Sequence, residues 1–324
     1  MALEPTSPQY VPPAASRQLL ALLEQLPGEP QHGFFGPSSI TWRINRESIV
    51  FLGAGRAALL QLAHPWVAAA LAQHSNLLHD AVGRFHSTFR VIYTMLFGTR
   101  TQALEAAKHL YQRHTAIRGE LPHAVGAHSP GEHYEANEVA ALRWVHATLV
   151  ESAMLAYEFV FPLSPSDREQ YYAESKRMAA LFGISAEALP KDWGAFAHYT
   201  AEMFDSPHLG VDANALALGC NVLSGVGTWL RPPHWYHAIT AYWMPPPLRT
   251  AFALPFSSRE EQAVSQAARW LPRLYPHMPS AIRFVGPFHE AQARLRGRKP
   301  GALTRKSNRF WMGQPRLLYA NSPE

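Results

Sequence analysis

The chain has 324 residues, of which 47% are hydrophobic and 16% charged, enough apolar material for one large core and too much for general disorder. Its formal charge is +5, with much of the excess in Arg294, Arg296, Arg298, Lys299, Arg305, Lys306 and Arg309 near the C-terminus. That basic stretch lacks aromatic interleaving beyond Phe310 and Trp311, so it reads as a solubilising arm rather than a nucleic-acid surface. Cys220 is the only cysteine, which excludes intrachain disulfides, zinc ribbons and cysteine-ligated clusters and fits a reducing cytoplasm.

Residues 1–15 are Pro-rich, show no secretory signal pattern, and read as a disordered arm. Residues 16–26 carry leucines at helical spacing behind Ser16 as N-cap. A Gly/Pro loop follows, and Ser38 or Ser39 caps a segment that turns Ile40, Trp42 and Ile44 inward. Ser48 to Ala63 is apolar nearly all round, as a central helix would be, and Pro65 suits the first turn of the next helix. The longest apolar run, Ala57 to Ala72, is too short and too interrupted to span a bilayer. Helices are predicted over 83–97, 101–118, 138–161, 166–182 and 190–204. Residues 209–230 are small and suit close packing; 231–256 is broken by six prolines; helical pieces return at 258–271 and 279–296. Alternating strand patterns are nearly absent. The expectation is an all-α fold: one large helical domain over 16–296 with a loop-rich C-terminal part, then a basic tail over 297–324.

The informative residues are histidines set in apolar helices. Burying an imidazole is costly without a partner, and several of them with no cysteine beside them suggest an imidazole-ligated cofactor such as haem. His114 lies late on a helix with apolar neighbours; spacing alone leaves both an iron ligand and a core or surface histidine open. His146, in Trp144-Val145-His146, and His74 and His86 are further candidates. His109 and His114 are five apart and do not share a helix face. The His128-Ser129-Pro130-Gly131-Glu132-His133 stretch is loop-like and reads as solvated. Arg84 and Thr88 are four apart on one face; they suit an anion and bound dioxygen, or else a snorkelling arginine and a threonine bonded to its own helix. Gly53-Ala54-Gly55 and Gly225-Val226-Gly227 lack a full dinucleotide fingerprint and read as packing glycines; no Gly-x-Ser-x-Gly elbow occurs.

Taken together these motifs resemble the oxygenase family of the fungal MpaB-type enzymes and the bacterial latex clearing proteins. The matching residues are Gly36-Pro37-Ser38, Trp42-Arg43, Arg56-Ala57 through Leu60-Gln61-Leu62-Ala63-His64-Pro65, His74-Ser75, Arg84-x-x-x-Thr88, Phe97-Gly98, His114-x-x-Ile117-Arg118-Gly119 and Trp144-Val145-His146, spread over roughly residues 33–255. The resemblance implies an all-α fold enclosing one haem b, with His114 as proximal iron ligand, Arg84 and Thr88 in the haem pocket and His146 supporting it. Phe85, Phe89, Ile92 and the segment Ala68 to Leu71 would line an apolar pocket. The implied partners are dioxygen and a hydrophobic small molecule, with the need for a reductase left open. Rubber oxygenases place a lysine just before the threonine, where this chain has Ser87, and a glutamate in the preceding helix, where Trp66 to Ala72 has no carboxylate. Both departures argue against polyisoprene cleavage by the same route. The chain also lacks the membrane anchor expected of the fungal enzymes. A non-catalytic haem-binding protein, a helical protein with structural histidines and no haem, and a two-histidine-one-carboxylate metal oxygenase using Glu151 or Glu158 are the alternatives.

Overall fold

A computed structural model describes residues 10–75, 80–225 and 231–319. The protein is all-α, with one small hairpin. The first helices are α1 (Pro13–Glu24), α2 (Ile40–Asn45), α3 (Ala54–Leu62), α4 (Pro65–His74), α5 (Ala81–Phe97) and α6 (Arg100–Thr115). The hairpin, β1 (Arg118–Glu120) and β2 (His133–Glu135), is antiparallel and pairs Gly119 with Tyr134. Then come α7 (Val139–Glu158), α8 (Pro165–Leu181), α9 (Trp193–Asp205), α10 (Ala213–Ser224) and α11 (His234–Trp243). The chain closes with α12 (Pro246–Ala251), α13 (Ser258–Leu274), α14 (Ser280–Arg283), α15 (Gly286–Leu295) and α16 (Ala302–Met312). No helix among the described residues is long and apolar enough to cross a membrane.

α7 is the axis. Most of its length is buried, including Trp144, His146, Thr148, Ser152 and Met154. α3 and the 3-10 stretch before it lie along α7, so close that a Cβ on Gly53 of that stretch would collide with the Ser152 carbonyl. Gly219 of α10 meets Leu59 and Phe252 in the same manner. These glycines serve helix packing, as the sequence indicated; Gly225-Val226-Gly227 runs beyond the described residues. Trp144 Nε1 donates to the Leu60 carbonyl at 2.8 Å, and Trp42 Nε1 to that of Leu96 at 2.8 Å, so both buried indoles are satisfied. Arg56, 2% exposed, joins three helices: it donates to Glu151 (2.7 Å), Ser152 (2.9 Å) and the Trp243 carbonyl (2.9 Å).

Several boundaries differ from expectation. Ser16 does not cap α1; the helix starts at Pro13, and Ser16 is buried in its first turn. Tyr10 bridges to Glu138 and α1 starts at Pro13, so part of the segment read as a disordered arm is structured; its residues 1–9 lie outside the described residues. The Ser48–Ala63 helix is two pieces, a 3-10 stretch over Ser48–Gly53 and then α3. α6 starts one residue earlier than expected, behind Thr99, and α8 is capped by Ser164 rather than starting at Ser166, each in a reciprocal capping box. The proline-broken stretch 231–256 contains α11 and α12, because its prolines sit at helix starts. The segment expected as a basic tail holds α16, which packs on α5 and α15; Trp311 stacks on Phe51 with centroids 4.0 Å apart.

Candidate active site

Four helices, α4 to α7, carry the candidate histidines and arginine singled out above. Asp80 caps α5, accepting from the Gly83 amide, and so starts the turn that presents Arg84. α6 packs along α5 and brings His114 into the electrostatic range of Arg84. Burial, then the Arg84 charge, lower the His114 pKa to about 4; the Asn137 side chain opposes them, and Arg113 adds to the lowering. His114 is therefore a neutral imidazole at pH 7. Arg84 is itself lowered from its ordinary value, by burial and then by Arg113. Asn137 is 3% exposed; its Nδ2 donates to the Tyr111 carbonyl at 3.3 Å, while its Oδ1 is buried without a hydrogen-bond partner.

α7 places His146 elsewhere. It is 2% exposed, its Nε2 pairs with the Ser175 carbonyl of α8 at 3.1 Å, and burial lowers its pKa to about 4 against that hydrogen bond. His146 lines a partly open cavity of about 110 Å³ between α2, α3, α5, α7 and α8. The walls are mostly apolar, with Phe35, Val50, Phe51, Phe89, Ile92, Leu96, Leu149 and Met178; Thr41, Asn45, Tyr171 and Ser175 supply polar points. That lining is apolar in character, as the wall of a site for a small apolar molecule would be.

The structure thus makes two groupings from the expected residues: Arg84 with His114, and His146 with Phe89 and Ile92. Phe85 is not in the described cavity wall. It belongs to an aromatic ladder, 5.8 Å from Phe51 and 4.5 Å from Phe89. Thr88 Oγ1 donates back to the Arg84 carbonyl at 3.1 Å. Ser87, at the family's lysine position, accepts from Arg113 at 3.2 Å, which ties α5 to α6. His74 and His86 pair with the carbonyls of Arg118 and Phe310. Glu151 is held by Arg56 and Glu158 by Arg168, so neither serves as a third ligand beside His146. Among the described residues no group of three or more His, Cys, Asp or Glu side chains is placed to hold a metal ion.

A haem needs less from the protein than a bare metal: one neutral axial donor, a cation for its propionates and an apolar cavity. His114 and Arg84 supply the first two kinds of group, with the Asn137 side chain as a hydrogen-bond partner for His114; the apolar cavity lies beside His146, and neither His114 nor Arg84 lines it.

The family model described as ER-bound oxygenase mpaB/B'/Rubber oxygenase, catalytic domain, matches residues 41–274, well over half the chain. The protein belongs to this oxygenase family. No curated protein and no solved structure matches it. For an MpaB/rubber-type oxygenase, two features were not legible in the sequence. Asn137 carries no motif of its own and reaches the His114 neighbourhood only through the hairpin. Glu132, from the loop between the hairpin strands, comes up against the start of α4, its Oε1 accepting from Trp66 Nε1 at 2.9 Å. His128, read as solvated, is 8% exposed and 2.7 Å from Glu132; the loop folds inward because both residues find partners there.

Proposed function

We propose that the protein is a haem b-dependent oxygenase acting with dioxygen on an apolar small molecule. The observation that carries this reading is His114, a histidine kept neutral beside a cationic arginine in a chain of the MpaB/rubber oxygenase family. Haem iron, when bound, supplies the oxygen chemistry. His114 would hold it through one ring nitrogen, the other being oriented by Asn137 Oδ1. Arg84, the charged group that acts most strongly on His114, would pair with a propionate through its planar fork. Ser87 stands where the rubber oxygenases place a lysine, and its hydroxyl accepts from Arg113, so it would supply no ligand to a bound haem. The cavity beside His146 would receive the apolar substrate; none of its described wall residues is charged, His146 being a neutral imidazole. His146 shapes the wall, its ring fixed by the Ser175 carbonyl. The chain's single cysteine is consistent with a reducing cytoplasm, and a reductase would be needed if turnover consumes external electrons.

The test is oxygen uptake by haem-loaded protein offered a panel of apolar isoprenoid and aromatic compounds, with and without a reductase system. Substrate-dependent uptake with an oxygenated product supports the proposal. Haem binding without uptake or product would leave a haem carrier in its place.

A further inference from the structure

Away from Arg84 and His114, three chain segments are stapled together by backbone hydrogen bonds. Gly210 N donates to the Ala63 carbonyl at 2.8 Å, and Ala127 N to that of Pro207 at 2.7 Å. Gly126, at φ +59°, permits the second contact; a Cβ there would strike the Pro207 carbonyl. Each segment brings a histidine to the junction: His64, His128 and His208. Ring centroids are 5.8 Å apart for His64 and His128, and 5.8 Å for His128 and His208. Trp66 walls the group at 5.5 Å from His64 and 5.4 Å from His128.

Two ring nitrogens here are buried with no hydrogen-bond partner, Nδ1 of His64 (4% exposed) and Nε2 of His128 (8% exposed). Leaving such atoms unpaired is costly, so a native pair of them calls for a ligand. The tautomer of His128 follows from its neighbour. Its Nδ1 is 2.7 Å from Glu132 Oε1 and donates to it, which turns a lone pair outward at Nε2. Glu132 is locked in turn by Trp66 Nε1 and the Ser129 amide, and stays ionised: burial raises its pKa, but the hydrogen bonds from His128, Ser129 and Trp66 outweigh it. A carboxylate behind an imidazole whose other nitrogen is free is the usual outer shell of a histidine-bound metal.

We propose that His64 and His128 form a binding site for a borderline-soft divalent cation of the Zn²⁺ class, separate from the haem site. Two imidazoles sharing one tetrahedral ion at about 2.0–2.1 Å have ring centroids about 5 Å apart, and the 5.8 Å between His64 and His128 is close to that. Three donors do not converge on one point as the rings stand. The ion would therefore be held by two nitrogens, with water, or the half-buried His208 after rotation, completing the shell.

The experiment is Zn²⁺ titration by calorimetry of chelator-dialysed protein, with metal content by mass spectrometry and the melting temperature measured with and without Zn²⁺. Wild type should bind one Zn²⁺ per chain and melt higher with it. His128→Gln should abolish that binding, Glu132→Gln should weaken it about 10- to 100-fold, and His114→Ala should leave it unchanged. A wild-type chain that binds no Zn²⁺ and whose melting temperature does not move overturns the proposal. Binding that persists in the His64→Gln/His128→Gln double variant, or is lost in His114→Ala, overturns it equally.

Discussion

His64, His114 and His146 are neutral in the folded protein because burial lowers their pKa values, to about 3, 4 and 4. In the unfolded chain each protonates near its ordinary value of 6.5, so the unfolded state takes up protons first as pH falls. The stability held by these groups is complete above pH 6.5 and is lost progressively below it, toward and past pH 4. For fully buried His146 the difference is about 3 kcal/mol. Urea unfolding midpoints should drop steeply between pH 6.5 and 4.5; a flat profile would contradict neutral burial. The sequence marked these histidines by their apolar surroundings but could not tell which faced a cavity. His146 and His114 look alike in sequence, and only the crossing of α7 with α8 gives His146 its cavity and the Ser175 carbonyl. Asn137 was invisible for the same reason: its neighbour is set by tertiary structure, and its fixed position predicts that Asn137→Ala lowers haem affinity, read by haem titration, while leaving the melting temperature of the haem-free chain within a few degrees of wild type.

Helix ends were the most legible elements where capping chemistry is local. Ser39 accepts from Trp42 N at 3.0 Å, Pro65 opens α4 and Gly98 ends α5, all read from residue type. The 3-10 stretch over Ser48–Gly53 was not legible, because an almost wholly apolar run has no periodicity to separate two helix types. The strands of the hairpin are three residues each, too short to show alternation. A contact no sequence pattern announces fixes α14 to the 3-10 stretch. Glu47, 1% exposed, takes Arg283 through both oxygens at 2.7 and 2.8 Å, and Tyr275 at 3.2 Å. Glu47→Ala leaves the guanidinium without its counter-charge and should cost about 3–5 kcal/mol in chemical unfolding. A loss below about 1 kcal/mol would show that solvent satisfies Arg283 instead.

At the scale of the whole molecule, the all-α architecture followed from the near absence of strand patterns, whereas the C-terminal segment did not read as structured. Its arginines and lysines suggested a solvated arm, yet Asn308 and Met312 are fully buried and Trp311 covers Phe51 at the edge of the cavity wall. Ending the chain at residue 300 should therefore lower the melting temperature and expose Phe51 and Phe89 to solvent, seen as increased binding of a hydrophobic dye. An unchanged melt would show α16 to be dispensable. The most direct test of the proposed function is the absorption spectrum of purified protein after haem reconstitution, with a pyridine haemochrome assay, on wild type and His114→Ala. A Soret band with one haem b per chain in the wild type, lost in the variant, is the expected result. Full haem retention by His114→Ala, or no haem in the wild type, would contradict it.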